Sequence, residues 1–274
     1  MAKIREVVSV LWLKVKVAPR NESSTKESLA MKNDPYIVAA FLKAKERNKW
    51  MADGTTPFVT ISREKGAQGE AIAIGAAEIL TEKSQGLEPW IVVDRDIAER
   101  VIEDRHLPER ISRFFTEEQT LSIEEHLEGI LGITVPAATR IKDMTRTIIH
   151  LARIGHVIFV GRAAHVITAK FPRAMHVRII GSFDQRVRRL AERMQCSWDE
   201  AAAEVKAIDH QRRHFVSAHF HADIDDATRY DMIFNTDRVS VEESAQLIAH
   251  LVSSPDFRLK EARKLVELRH QVLG

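Results

Sequence analysis

The run FVTIS at residues 58–62 is short, apolar and rich in β-branched residues, and it ends in polar residues and a glycine turn, as a buried parallel strand does. From about residue 69 to 83, Ile72, Ala76, Ile79 and Leu80 recur at helical spacing, so strand, glycine turn and helix follow one another directly. WIVVD at 90–94, HVIFVG at 156–161, AMHVRIIG at 174–181 and DMIFNT at 231–236 are four further apolar runs, each followed by a helical pattern. The alternation predicts an α/β fold, three layers thick, around a central parallel sheet of about five strands. Between the second and third strands, residues 95–154 read as a charged helical insertion, placed where substrate sites are often built at the carboxyl edge of such sheets; a solvated helical face explains the same charges. Ser182 is placed to cap the helix after the fourth strand. Ser197 with Glu200, and Ser240 with Glu243, are capping-box pairs that open two more helices.

The ends read differently from the body. Residues 7–17 are apolar, but Lys14 and Lys16 interrupt them and no small-residue cleavage site follows, so the expectation is a short strand or docked extension followed by a polar linker at 18–28; Met31 offers an alternative start. Residues 1–50 are thus an extension and linker, 55–253 the body, and 254–274 a charged amphipathic helix suited to a homodimer contact or to covering the sheet. Lysine and arginine exceed aspartate and glutamate only 41 to 39, which removes any global basic field and with it the reason to expect nucleic acid or a membrane surface. Cys196 is the one cysteine; it excludes an intramolecular disulfide and an all-cysteine metal cage, and suits a cytoplasmic location. His210 and His214 lie one helical turn apart near His219, His221, Asp223, Asp225 and Asp226, but without the rest of a ligand signature the pair assigns no metal.

The turn Lys65-Gly66-Ala67-Gln68-Gly69-Glu70, directly after Arg63 and Glu64, opens a helix, and backbone N–H groups at a helix N-terminus suit a phosphate. It lacks the lysine and hydroxyl of the standard G-x-x-x-x-G-K-[ST] loop, and two glycines three apart are by themselves better explained as a tight turn.

Taken in order, TISREKGAQGEAIAI (60–74), VVDRDIAERV (92–101), FVGRAAHVI (159–167), VRIIGSFDQRVRRL (177–190), Asp209-x-x-Arg212 and YDMIFNTDRVSVEESAQLI (230–248) resemble the cytidylate kinase-like family over about residues 57–252. The resemblance implies a P-loop kinase fold with a monophosphate-binding insertion at 95–154 and an arginine-bearing lid at 197–228. It implies transfer of the ATP γ-phosphoryl group to CMP, dCMP or a similar phosphorylated acceptor, with Mg²⁺ accompanying ATP. Gly66 and Gly69 fall on the family's glycine-rich loop, so residues 65–70 and Arg63 are the candidate phosphate binders. Asp94, Arg95, Gly161, Arg162, Arg186 and Arg189 fall on the monophosphate region, and Arg162, Asp209 and Arg212 on the positions expected near the transferred group. The departures are Glu70 where the family has arginine, Ala67 and Gln68 in place of a small hydroxyl and a third glycine, and Ala163 where cytidylate kinases proper carry aspartate. The retained arginines favour a nucleotide kinase; the altered loop favours the alternative, a nucleotide-binding sensor or scaffold that has lost the chemistry.

Overall fold

In the computed structural model, the described residues are 36–47, 55–85, 88–104, 106–131, 139–254 and 257. The expected strand at 7–17, the linker at 18–28 and the amphipathic helix at the C-terminus lie outside them, apart from Phe257.

A helix, α1 (Tyr36–Arg47), leads into β1 (Phe58–Arg63), α2 (Gly69–Lys83) and β2 (Ile91–Val93). The described residues of the insertion hold four helices: α3 (Arg95–Glu103), α4 (Leu107–Ser112), α5 (Glu117–Leu131) and α6 (Thr139–Ile154). Then follow β3 (Val157–Val160), the short α7 (Ala164–Ile167), β4 (Ala174–Ile180), α8 (Phe183–Met194), the long α9 (Trp198–Phe220), a 3₁₀ turn at Ala227–Arg229, β5 (Met232–Asn235) and α10 (Val241–Val252). All five strands are parallel, in the order β2-β3-β1-β4-β5, with Ile61 of β1 opposite Val160 of β3 and Val177 of β4. The predicted five-stranded parallel sheet is present.

The two-residue period of the strands sorts the core. Val59 and Ile61, Ile158 and Val160, and Met175, Val177 and Ile179 pack beneath α2 and α10. Phe58, Val157 and Phe159 face the other way, into a larger cluster with α1, the insertion and the C-terminal part of α9. Phe58 anchors that side, edge-on to Phe159 and Phe171 with ring centroids 6.1 and 5.7 Å apart, and its full burial is worth about 2–3 kcal/mol. Helix α1, within the stretch read as extension, belongs to this core, with Val38, Phe41 and Leu42 all buried.

Two helix starts follow their local code. Ser197 and Ser240 each accept a hydrogen bond from the N3 backbone amide while Glu200 and Glu243 reach back to the capping serine's amide. Ser182 occupies the N-cap of α8 but makes no side-chain cap bond. Among the described residues, no helix is long and apolar enough to cross a membrane.

The strand order reverses direction at β1, which puts a crevice at the carboxyl ends of β1, β3 and β4. The loops leaving those ends carry residues 63–69, 161–163 and 181–182.

Candidate active site

The chain leaves β1 through a tight turn, in which the Ala67 amide donates to the Glu64 carbonyl over 3.3 Å and Gly66 takes φ +82°. Glycine is required there twice over: the conformation is left-handed, and a Cβ would stand 2.5 Å from the Arg186 carbonyl oxygen. Helix α2 then starts from Gln68, itself left-handed, with no side chain capping its N-terminus and Glu70 in its first turn. The first amides of a helix have no intrahelical partner, so this end presents donors and a partial positive charge to whatever lies before it.

Behind the turn stands a buried ion-pair network. Asp209 on α9 accepts from the Lys65 amide (2.7 Å) through Oδ1 and from Arg186 Nη1 (2.6 Å) through Oδ2. Arg186 on α8 also donates to the Lys65 and Gly181 carbonyls, at 3.0 and 2.9 Å, and lies 3.2 Å from Glu64. Its guanidinium is therefore committed to bracing the loop, and Glu64, which further accepts from the Gly181 amide at 3.0 Å, completes the brace. Lys65 extends away from the turn to Glu204 of α9, 3.1 Å distant. Arg189 holds the segment after β5, through the Thr236 hydroxyl and carbonyl at 3.0 and 2.8 Å, with Asp237 at 3.4 Å.

In front of the turn, three other arginines gather. Arg212 donates to the Arg63 carbonyl at 2.9 Å and sits 3.9 Å from Asp209. Burial lowers its pKa, Asp209 opposes that, and the nearby guanidinium groups of Arg178 and Arg186 add to it. Arg162, left-handed like Ala163 beside it, is paired with Glu99 of α3 and lies 5.9 Å from the ring of Phe215, while its Nε is buried with no partner. Arg63, at the end of β1, is the third, with its pKa drawn down to about 9, first by burial and then by Arg212, against the pull of Glu70 and Asp94. Like charges held this close are costly in the absence of an anion, and an incoming phosphate would relieve them.

The monophosphate candidates divide. Asp94 caps α3 by accepting from the Ile97 amide at 2.9 Å, and Arg95 is exposed and pairs with Glu99 at 3.3 Å. Gly161 takes φ +86° at the end of β3, next to Arg63. The structure thus brings Arg63, Gly161, Arg162 and Arg212 close together at the loop, sets Arg186 and Asp209 behind it, and has Lys65 and Arg189 lining the same groove while paired with Glu204 and with Thr236 and Asp237. Glu64, Glu99 and Glu204 each hold a basic residue here and were invisible as partners in the sequence; only the adjacency of Glu64 to the glycine turn gave any signal.

A groove of about 1070 Å³ runs from Arg63 and Arg212 past the turn, along α2 at Ile74, to Val241 at the start of α10. That volume suits a nucleotide. The histidines of α9 and of the turn after it are exposed, the rings of His210 and His214 lie 6.5 Å apart, and among the described residues no three His, Cys, Asp or Glu side chains gather as a metal site.

The sequence profile of the cytidylate kinase-like family matches residues 58–238, from the start of β1 to just before α10. A search of curated proteins returned no match. Among solved structures, the chain is similar to the crystal structure of an uncharacterized protein from Eubacterium ventriosum, at 19% identity and a TM-score of 0.55, covering 72% of this chain and 98% of that one. At that identity the likeness speaks for the fold.

Proposed function

The chain belongs to the cytidylate kinase-like family, and from that premise we propose that it transfers the γ-phosphoryl group of ATP to CMP, dCMP or a similar phosphorylated acceptor. The observation that carries the reading is the meeting of Arg63 and Arg212 in the groove at an uncapped helix N-terminus on the carboxyl edge of a parallel sheet, with Arg162 close to Arg63 at the end of β3. Phosphoryl transfer asks little covalent help of a protein and much positioning and positive charge.

In this reading the triphosphate lies in the groove beside α2, its phosphates against the turn amides of residues 66–70. A phosphate oxygen of the acceptor attacks the γ-phosphorus in line, the bond to the β–γ bridging oxygen breaks, and ADP leaves. Arg212 from the lid helix and Arg162 from the β3 end neutralise charge on the group in flight. Asp209 positions Arg212 and the loop. Mg²⁺ enters as part of the triphosphate substrate, and the buried Ala67 offers no hydroxyl to it.

The second reading, nucleotide binding without turnover, draws on Glu70 in the first turn of α2 and on Lys65 being held by Glu204. A coupled assay with ATP, Mg²⁺ and each nucleoside monophosphate, run beside a binding titration, separates the two. Turnover with a cytidine monophosphate supports the kinase; binding without turnover across the whole set overturns it in favour of a sensor.

A further inference from the structure

The Arg63 side chain occupies a channel made by two glycines. A Cβ on Gly69 would stand 2.8 Å from Arg63 Cβ, so the glycine that opens α2 leaves room for the stem of this arginine. A Cβ on Gly161 would stand 2.2 Å from Arg63 Nη1, so the glycine that ends β3 leaves room for its head. The side chain therefore crosses from the phosphate turn to the β3 edge.

Its surroundings match that crossing. Arg63 and Arg212 line the groove beside α2, whereas Arg162, Gly161 and Asp94 lie beyond it on the side of the insertion. The guanidinium has Glu70 on the donor side and Asp94 and Arg162 on the acceptor side within electrostatic reach. Among the described residues, no hydrogen bond or ion pair engages it, in contrast to Arg186, which has four such partners, and Arg162, which has Glu99. A guanidinium set between two other arginines, with its five donors unspent, is arranged for an anion rather than for the fold.

Resting on the phosphotransfer reading above, we infer that Arg63 grips the transferred phosphoryl group at the junction of donor and acceptor, in place of the lysine absent from the loop. A β-strand arginine reaching under the turn meets the phosphate from the opposite side to a loop lysine. On this view Glu70 is the counter-charge that keeps Arg63 tolerable while the site is empty, and an incoming phosphate takes its place.

Full-length protein and the variants Arg63→Met, which keeps the stem but not the charge, and Arg63→Lys test this with two probes, inorganic tripolyphosphate and a dinucleoside pentaphosphate joining adenosine to cytidine. The expected result is that Arg63→Met melts no lower than the wild type, because a like charge has been removed, yet binds tripolyphosphate at least tenfold and the two-headed probe about a hundredfold more weakly, with Arg63→Lys between. Binding by Arg63→Met within twofold of the wild type overturns the inference. Should that variant fail to fold, the Arg63 Nε–H resonance of the wild-type chain decides: a shift on adding tripolyphosphate supports the grip and an unmoved signal refutes it. Turnover that survives Arg63→Met sinks this inference alone, whereas a wild-type chain that binds the probes without any turnover sinks the kinase reading alone.

Discussion

Arg212 spends one nitrogen on the Arg63 carbonyl and lines the groove beside the turn. A group placed like this acts mainly when charge builds up on the moving phosphoryl. Arg212→Ala is accordingly expected to lower kcat by about 100-fold while moving KM by much less; steady-state kinetics in which kcat is unchanged would remove Arg212 from the mechanism. Glu70 carries the opposite charge at the same place. Replacing it with arginine adds a donor to a first helical turn that already favours anions, so Glu70→Arg should tighten triphosphate binding, and weaker binding by calorimetry would mean that the carboxylate itself contacts the ligand or its metal. The identities of these residues were legible in the sequence as basic and acidic positions beside a glycine turn. Their directions were not: Arg186 and Arg212 look alike on paper, yet one is walled in behind the loop and the other faces out, because the first leaves from α8 and the second from α9.

At the level of elements, the loop, α8 and α9 are one mechanical unit tied at Asp209. The ties join residues 144 and 23 positions apart in sequence, and no local pattern encodes such pairs, which is why Asp209-x-x-Arg212 could be read only as a motif and not as a strut. Strands and caps were legible for the opposite reason: a buried parallel strand must be apolar on both faces, and a capping box is satisfied within four residues. Asp209→Ala leaves Arg186 buried without its nearest counter-charge and frees the Lys65 amide. It should cost about 3–5 kcal/mol in urea unfolding, against at most about 1 kcal/mol for removing exposed Arg113, which caps the C-terminus of α4 and pairs with Glu109 one turn back. Equal effects at the two sites would show that the network is not holding the loop.

For the whole molecule, three buried histidines set an acid limit. Burial holds His165 at about 3, with His176, Arg178 and Arg229 adding to it, and holds His156 at about 3 with Lys45 and Arg173 nearby. His150 is lowered to about 4 by burial, beside Arg146 and Arg153. All three are depressed below the 6.5 of an unfolded chain, so their neutral forms cost nothing above pH 6.5. As pH falls from 6.5 toward 4 the unfolded chain gains protons first and stability is lost, by about 2 kcal/mol at pH 5 for a group lowered as far as His165. Urea midpoints at pH 7 and pH 5 check this; identical midpoints would show that these rings titrate normally.

Helix α1 gives the boundary of the molecule a different meaning. Kinship is recognisable only from residue 58, but Val38, Phe41 and Leu42 fill the same core as Phe58, and Lys45 reaches His156 Nδ1 over 2.8 Å at the foot of β3. Ancestry and packing thus divide this chain at different places. The packed core reaches back to α1, some twenty residues before the shared portion, and a fragment cut to that portion would carry an uncovered apolar wall next to β2 and β3.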